Sequence, residues 1–171
     1  MCFFLLFGMI GFDSSTIIWP DEEDGEIIHL TRKTFAYTDL ETGKVIEEYN
    51  GKKVVISGDT KKNDLVLEMA QDADVLLHEV ILNSLLQQME ARLKEGGMTR
   101  NEKIIHDIQD YHTTPAEVAE IASKAKVKKL VLHHFAPPPD FRIVKNLYQK
   151  ELSGYDGEIH FSNDGDVFVI E

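Results

Sequence analysis

Two short apolar runs, ADVLLHE at 73–79 and KKLVLHHF at 128–135, restrict this chain more than any other feature. Neither alternates apolar with polar residues, so a strand built from either must be covered on both faces. That is the requirement of a parallel sheet with helices as crossovers. Helical stretches stand in the expected places. NDLVLEMAQ suits a short helix, and NSLLQQMEARLKEGG sets Leu85, Leu86, Met89 and Leu93 on one helical face, with Gly96-Gly97 as its stop. Thr114-Pro115-Ala116-Glu117 is a capping box with proline at the first helical position, which starts a helix just after His112. DFRIVKNLYQKEL reads as an amphipathic helix opened by Asp140.

Upstream of Gly58 the pattern is β-rich. STIIW and GEIIHLT are short β-branched runs with PDEEDG as a turn between them, and KVIEEYNGKKVVIS places Asn50-Gly51 between two halves of a hairpin. GEIHFSNDGDVFVIE, with Asn163-Asp164-Gly165 near its turn, reads as a closing hairpin. No repeat, low-complexity tract or linker divides the chain. Residues 1–171 are expected to form one α/β layered unit. The opening MCFFLLFGMIGF is too short to span a bilayer and reads as a core strand.

Charge and cysteine content limit the partners. Eighteen basic against 30 acidic residues give −12, a field that repels nucleic acid and anionic membrane unless a local patch overrides it. The densest basic cluster, KAKVKK at 124–129, reads as a solvated helix end. Cys2 stands alone, so neither an intrachain disulfide nor a cysteine zinc cluster is available, and a reducing, cytoplasmic compartment fits.

Four polar features follow apolar strands: Asp59 after VVISG, His78-Glu79 after ADVLL, His112 at a helix entrance, and His133-His134 after LVL. In α/β sheets ligands bind at such strand ends, and Asp, Glu and His are the residues that hold zinc and move protons. Singly, each also reads as a cap or a strand terminus.

Taken in order, KKVVISGDTKKNDLVLEMAQDADVLLHEV and HTTPAEVAEIASKAKVKKLVLHHFAPP resemble the C-terminal half of the metallo-β-lactamase-fold hydrolases, nearest their ribonuclease Z-like branch. The resemblance runs from about residue 33 to the end. It implies an αββα layered fold, of which only the C-terminal half is present, and a zinc-dependent phosphodiesterase or ester hydrolase. It makes Asp59 the carboxylate that bridges two zinc ions and His134 a ligand of one of them. His133 falls where the family often has threonine. Glu79 and His112 become a proton-handling pair that does not bind metal.

Departures from the family pattern are equally specific. The chain contains no H-x-H, so the N-terminal H-x-H-x-D-H cluster is missing. His29, ahead of TFAY, is the candidate for a further ligand, although IIHLT reads equally well as strand alternation. HEVI stands in place of HEAT, and no basic RNA-gripping arm is evident, so a broad ester or phosphodiester substrate, RNA included, is expected. Zinc sites need three or more protein ligands per ion, and Asp59 with His134 cannot supply them. The expectation is therefore an N-terminally truncated unit, inactive alone, or one completed by an N-terminal half in trans or by a homo-oligomer, with no membrane partner. The competing expectations are a non-catalytic remnant serving as an interaction module and an arylsulfatase-like ester hydrolase.

Overall fold

The two apolar runs form the middle of a five-stranded sheet in the computed structural model, which describes residues 16–18, 46–49 and 52–170. The strands are β1 (Thr16–Ile18), β2 (Ile46–Tyr49), β3 (Lys52–Ile56), β4 (Val75–Ile81), β5 (Lys129–Ala136), β6 (Glu158–Phe161) and β7 (Val167–Val169). The helices are α1 (Asp64–Met69), α2 (Asn83–Glu95), α3 (Thr99–Ile108), α4 (Pro115–Lys124) and α5 (Arg142–Glu151). The large sheet runs β2-β3-β4-β5-β6, with β3 to β6 parallel and β2 antiparallel to β3. Every residue of β4 is buried, as its unbroken apolar pattern requires.

Successive residues point to opposite faces, and the two faces have separate cores. Leu76, Val80, Leu130 and Leu132 pack against Val66 and Met69 of α1, Val118, Ile121 and Ala122 of α4, and Tyr148 of α5. Val54, Val75, Leu77 and Val131 face the other way, against Phe168 and Ile170. β7, which carries Phe168, pairs with β1 in parallel as a separate two-stranded sheet. The order of layers is thus helices, five-stranded sheet, second sheet, and the expected α/β class with a parallel sheet holds. Each fully buried leucine or isoleucine contributes about 1.5–3 kcal/mol relative to exposure.

Local signals account for most boundaries. Gly97, at φ 69°, ends α2: its N–H donates to Lys94 O at 3.1 Å while the N–H of Met98 donates to Leu93 O at 2.9 Å. This is a Schellman closure, and the left-handed residue it needs is one that glycine adopts without strain. At α4 the Glu117 carboxylate accepts from the Thr114 N–H at 2.9 Å and the Thr114 hydroxyl at 2.7 Å. Tyr49 faces Lys52 across the β2–β3 pair, the register of a two-residue hairpin.

Four expectations need correction. The closing segment is not a hairpin: β6 joins β5 in the large sheet, and β7 crosses to β1, where Phe168 gains an apolar face to cover. α3 lies in a stretch for which no element was expected, and it buries none of its residues. α5 opens at Phe141, whose backbone is extended and which makes no side-chain cap, one residue later than Asp140. On α2 only Leu86 is buried, and Met89 is 37% exposed. MCFFLLFGMIGF with Cys2, PDEEDG, GEIIHLT with His29, and the Asn50-Gly51 turn lie outside the described residues. Among the described residues no helix is long and apolar enough to cross a membrane.

Candidate metal centre

Because β3, β4 and β5 are parallel, their C-terminal ends meet at one edge of the sheet, and the loops that follow them share that edge. Gly58, at φ 61°, turns the chain after β3 and presents Asp59. The loop then closes onto α1, where the Asn63 side chain accepts from the Val66 N–H at 2.9 Å.

β5 delivers its histidine by an irregularity. Glu79 pairs with His133 and Val80 with Phe135, so His134 is an extra residue with no partner on β4. Its φ is 49°, left-handed and uncommon for a residue with a Cβ. A bulge of this kind re-aims one side chain out of the strand's alternation. Here it brings His134 Nε2 to 3.8 Å from Asp59 Oδ1 and lays its ring against that of His112, centroids 5.3 Å apart and planes 25° inclined. One donor atom each from Asp59, His112 and His134 lies within 4.8 Å of the others. Left-handed backbone at a non-glycine residue costs about 1–3 kcal/mol and persists where the surroundings over-determine it.

Behind the triad sits Glu79, fully buried at the end of β4. Its Oε1 accepts from the Thr113 N–H at 2.7 Å, and its Oε2 lies 3.0 Å from His112 Nδ1. Nδ1 is thereby the protonated nitrogen of His112, and Nε2 is the one free to act. Thr113 O accepts from the Ile81 N–H at 2.9 Å, and the Thr113 hydroxyl donates to Thr60 O, so the segment carrying His112 is tied to both β4 and the Asp59 loop.

The other described histidines stand apart. His78 places Nδ1 2.7 Å from Glu79 O while its Nε2 is buried without a partner. Burial lowers its pKa below the usual histidine value, against the opposing charges of Glu79 and Glu117. His133 is partly exposed as a residue, yet its Nε2 is shielded and unpartnered. Desolvation, reinforced by His78 and His134, pushes its pKa down to about 3. Both are neutral at pH 7. His106 pairs with Glu90 at 3.0 Å, and His160 with Asp166 at 2.9 Å.

Asp59, Glu79, His112 and His134 are therefore brought together, whereas His133 is not part of the triad. Three further residues shape the site without having been singled out in the sequence. Thr113 anchors Glu79, Lys61 donates to Gln109 O at 2.6 Å, and the Tyr111 ring lies 4.7 Å from that of His112. Only Thr113 had a signal, as the residue after histidine in HTT. One carboxylate oxygen and two imidazole nitrogens are a donor set that zinc accepts, and the carboxylate behind His112 is the partner that orients such a ring.

Comparison with known proteins shows which chains this one is similar to. Over 104 residues the chain is 38% identical to ribonuclease Z of Gemmatimonas aurantiaca, covering 57% of this chain and 28% of that protein. It is 35% identical over 105 residues to ribonuclease Z of Brevibacillus brevis, again covering 57% and 28%. The ribonuclease Z-like character expected from the sequence is thus found, and the chain spans about 28% of the length of these relatives. Among solved structures it is similar to the metallo-beta-lactamase fold protein YhfI from Bacillus subtilis, with a TM-score of 0.46 and 19% identity over 67% of this chain and 38% of that one. No family model matches the chain.

Proposed function

We propose that these residues are part of a zinc-dependent hydrolase of the ribonuclease Z-like branch, acting on phosphodiesters. RNA is the substrate suggested by the relatives' name. The observation that carries the proposal is the Asp59–His112–His134 triad with Glu79 hydrogen-bonded behind His112. Asp59 and His134 would hold zinc, and the two oxygens of Asp59 suit a position between two ions. Bound zinc supplies Lewis acidity and a water whose pKa is near 7.

The chain's own contribution is proton handling. Glu79 holds His112 in one tautomer, with Nδ1–H toward the carboxylate, so that Nε2 is the nitrogen placed to exchange a proton with a leaving oxygen. The contribution of such a group is about 10²–10⁴ in rate. A second reading has a specific observation in its favour: the His112 donor lies as close to the triad's other donors as a third ligand would.

Zinc titration against a chromophoric competitor separates the two. Asp59→Ala and His134→Ala should each weaken zinc at least about tenfold, and His112→Ala and His133→Thr should not. Equal weakening by His112→Ala makes it a ligand rather than an acid. Zinc affinity unchanged by all four substitutions removes the metal reading altogether. With a segment bearing H-x-H-x-D-H supplied in trans, His112→Ala should lower turnover by about 10²–10⁴ at unchanged metal content.

A further inference from the structure

Tyr111 is an aromatic side chain at the edge of the triad that neither the core nor the proton pair uses. It is 50% exposed. Its ring lies 4.7 Å from the His112 ring at an inclination of 46°, and His112 in turn stacks on His134. The backbone on either side of it is pinned. Gln109 O accepts from Lys61 Nζ at 2.6 Å, and Gln109 Nε2 donates to Glu90 Oε2 at 2.9 Å. On the other side the Thr113 N–H is held by Glu79 at 2.7 Å and its hydroxyl by Thr60 O. A half-solvated ring is thus held at a fixed place beside the atoms where a phosphodiester would react.

We propose that Tyr111 is a stacking platform that positions a nucleobase next to the scissile phosphodiester. The inference rests on the phosphodiester reading of the triad. Charge favours an aromatic contact here. At −12 the chain gains little from general attraction to a phosphate backbone, whereas stacking on a base is independent of net charge. Base stacking on an aromatic side chain contributes about 1–3 kcal/mol, or about 5- to 150-fold in affinity. Tyr111 is a positioning residue: it fixes the substrate, and His112 beside it handles the proton.

The test uses the whole 171-residue chain and two probes that share a phosphate, adenosine monophosphate and ribose phosphate, with dissociation constants from NMR titration. The wild type should bind the adenosine probe at least about fivefold more tightly. Tyr111→Phe should keep that preference, while Tyr111→Leu, which retains apolar bulk without a ring, and Tyr111→Ala should lose it. Equal affinity for both probes, no binding of either, or a preference that survives Tyr111→Leu overturns the platform. Zinc titration of the same samples keeps the two proposals distinct. Zinc affinity that Asp59→Ala and His134→Ala weaken, without base preference, sinks the platform alone, and base preference with a zinc affinity that neither substitution moves sinks the metal reading alone.

Discussion

Replacing Glu79 by glutamine changes one atom in a site that is closed to water, and its cost can be worked out from the contacts. Glu79 is 0% exposed and His112 5%. In Glu79→Gln the amide oxygen can still accept from the Thr113 N–H, while the amide nitrogen can donate to His112 Nδ1 only after the imidazole moves its proton to Nε2, the wrong tautomer for the proposed role. A charge-assisted hydrogen bond is thus replaced by a neutral one, a loss of about 1–1.5 kcal/mol. His112→Ala leaves the carboxylate buried with only the Thr113 N–H. Breaking a buried pair by removing one partner costs about 3–5 kcal/mol when nothing compensates, so about 2–4 kcal/mol is expected here. In the double variant the pair is already broken, and the two costs should fall short of additivity by about 1–1.5 kcal/mol. Urea unfolding of the four proteins measures this as midpoint shifts at constant slope. Additivity within about 0.5 kcal/mol would show that the pair is not energetically coupled and would remove the basis for His112 as an oriented acid.

Two further outcomes follow from the buried and strained histidines. His78 has a pKa in the fold below its ordinary 6.5, so the native state binds fewer protons than the unfolded chain below that pH. Its contribution to stability is complete above about pH 6.5 and falls by up to about 1.4 kcal/mol per unit as pH drops beneath it. His78→Leu should flatten the urea-midpoint profile between about pH 6 and 5 by that amount, and an unchanged slope would contradict the burial. At His134, φ 49° strains any residue with a Cβ. His134→Gly should therefore be more stable than His134→Ala by about 1 kcal/mol in thermal unfolding, whereas equal stabilities would mean that the left-handed bulge is not formed.

Reading the sequence alone succeeded where local rules decide the outcome. The unbroken apolar character of β4, the capping box at Thr114 and the glycine stop of α2 each state their own structure. Asp59, Glu79, His112 and His134 were named through the family resemblance, since the strand-end pattern alone offered them together with His78 and His133; the shared edge of the parallel strands is what brings the four together. The failures occurred where a distant partner decides. Asn163-Asp164-Gly165 permits a turn but does not say which strands it joins; β5 and β1 claim β6 and β7 separately. α3 has no buried face, and its C-terminal turn is tied to α2 through Glu90, which pairs with His106 and Gln109. The adjacent histidines 133 and 134 are told apart in sequence only by the family resemblance, not by any local rule. The slip in register between Glu79 and Val80 distinguishes them, and it depends on both strands at once.

On the proposed function, these residues carry part of a zinc hydrolase's ligand set, centred on Asp59 and His134. Elemental analysis of the purified 171-residue chain after dialysis against a mild chelator tests it most directly, because zinc retention depends on how many ligands one cavity preforms. The expected result is less than one zinc per chain, rising to two when a segment bearing H-x-H-x-D-H is supplied in trans. Two zinc ions held tightly by the 171 residues alone would contradict it, because the triad of Asp59, His112 and His134 has too few donors for both.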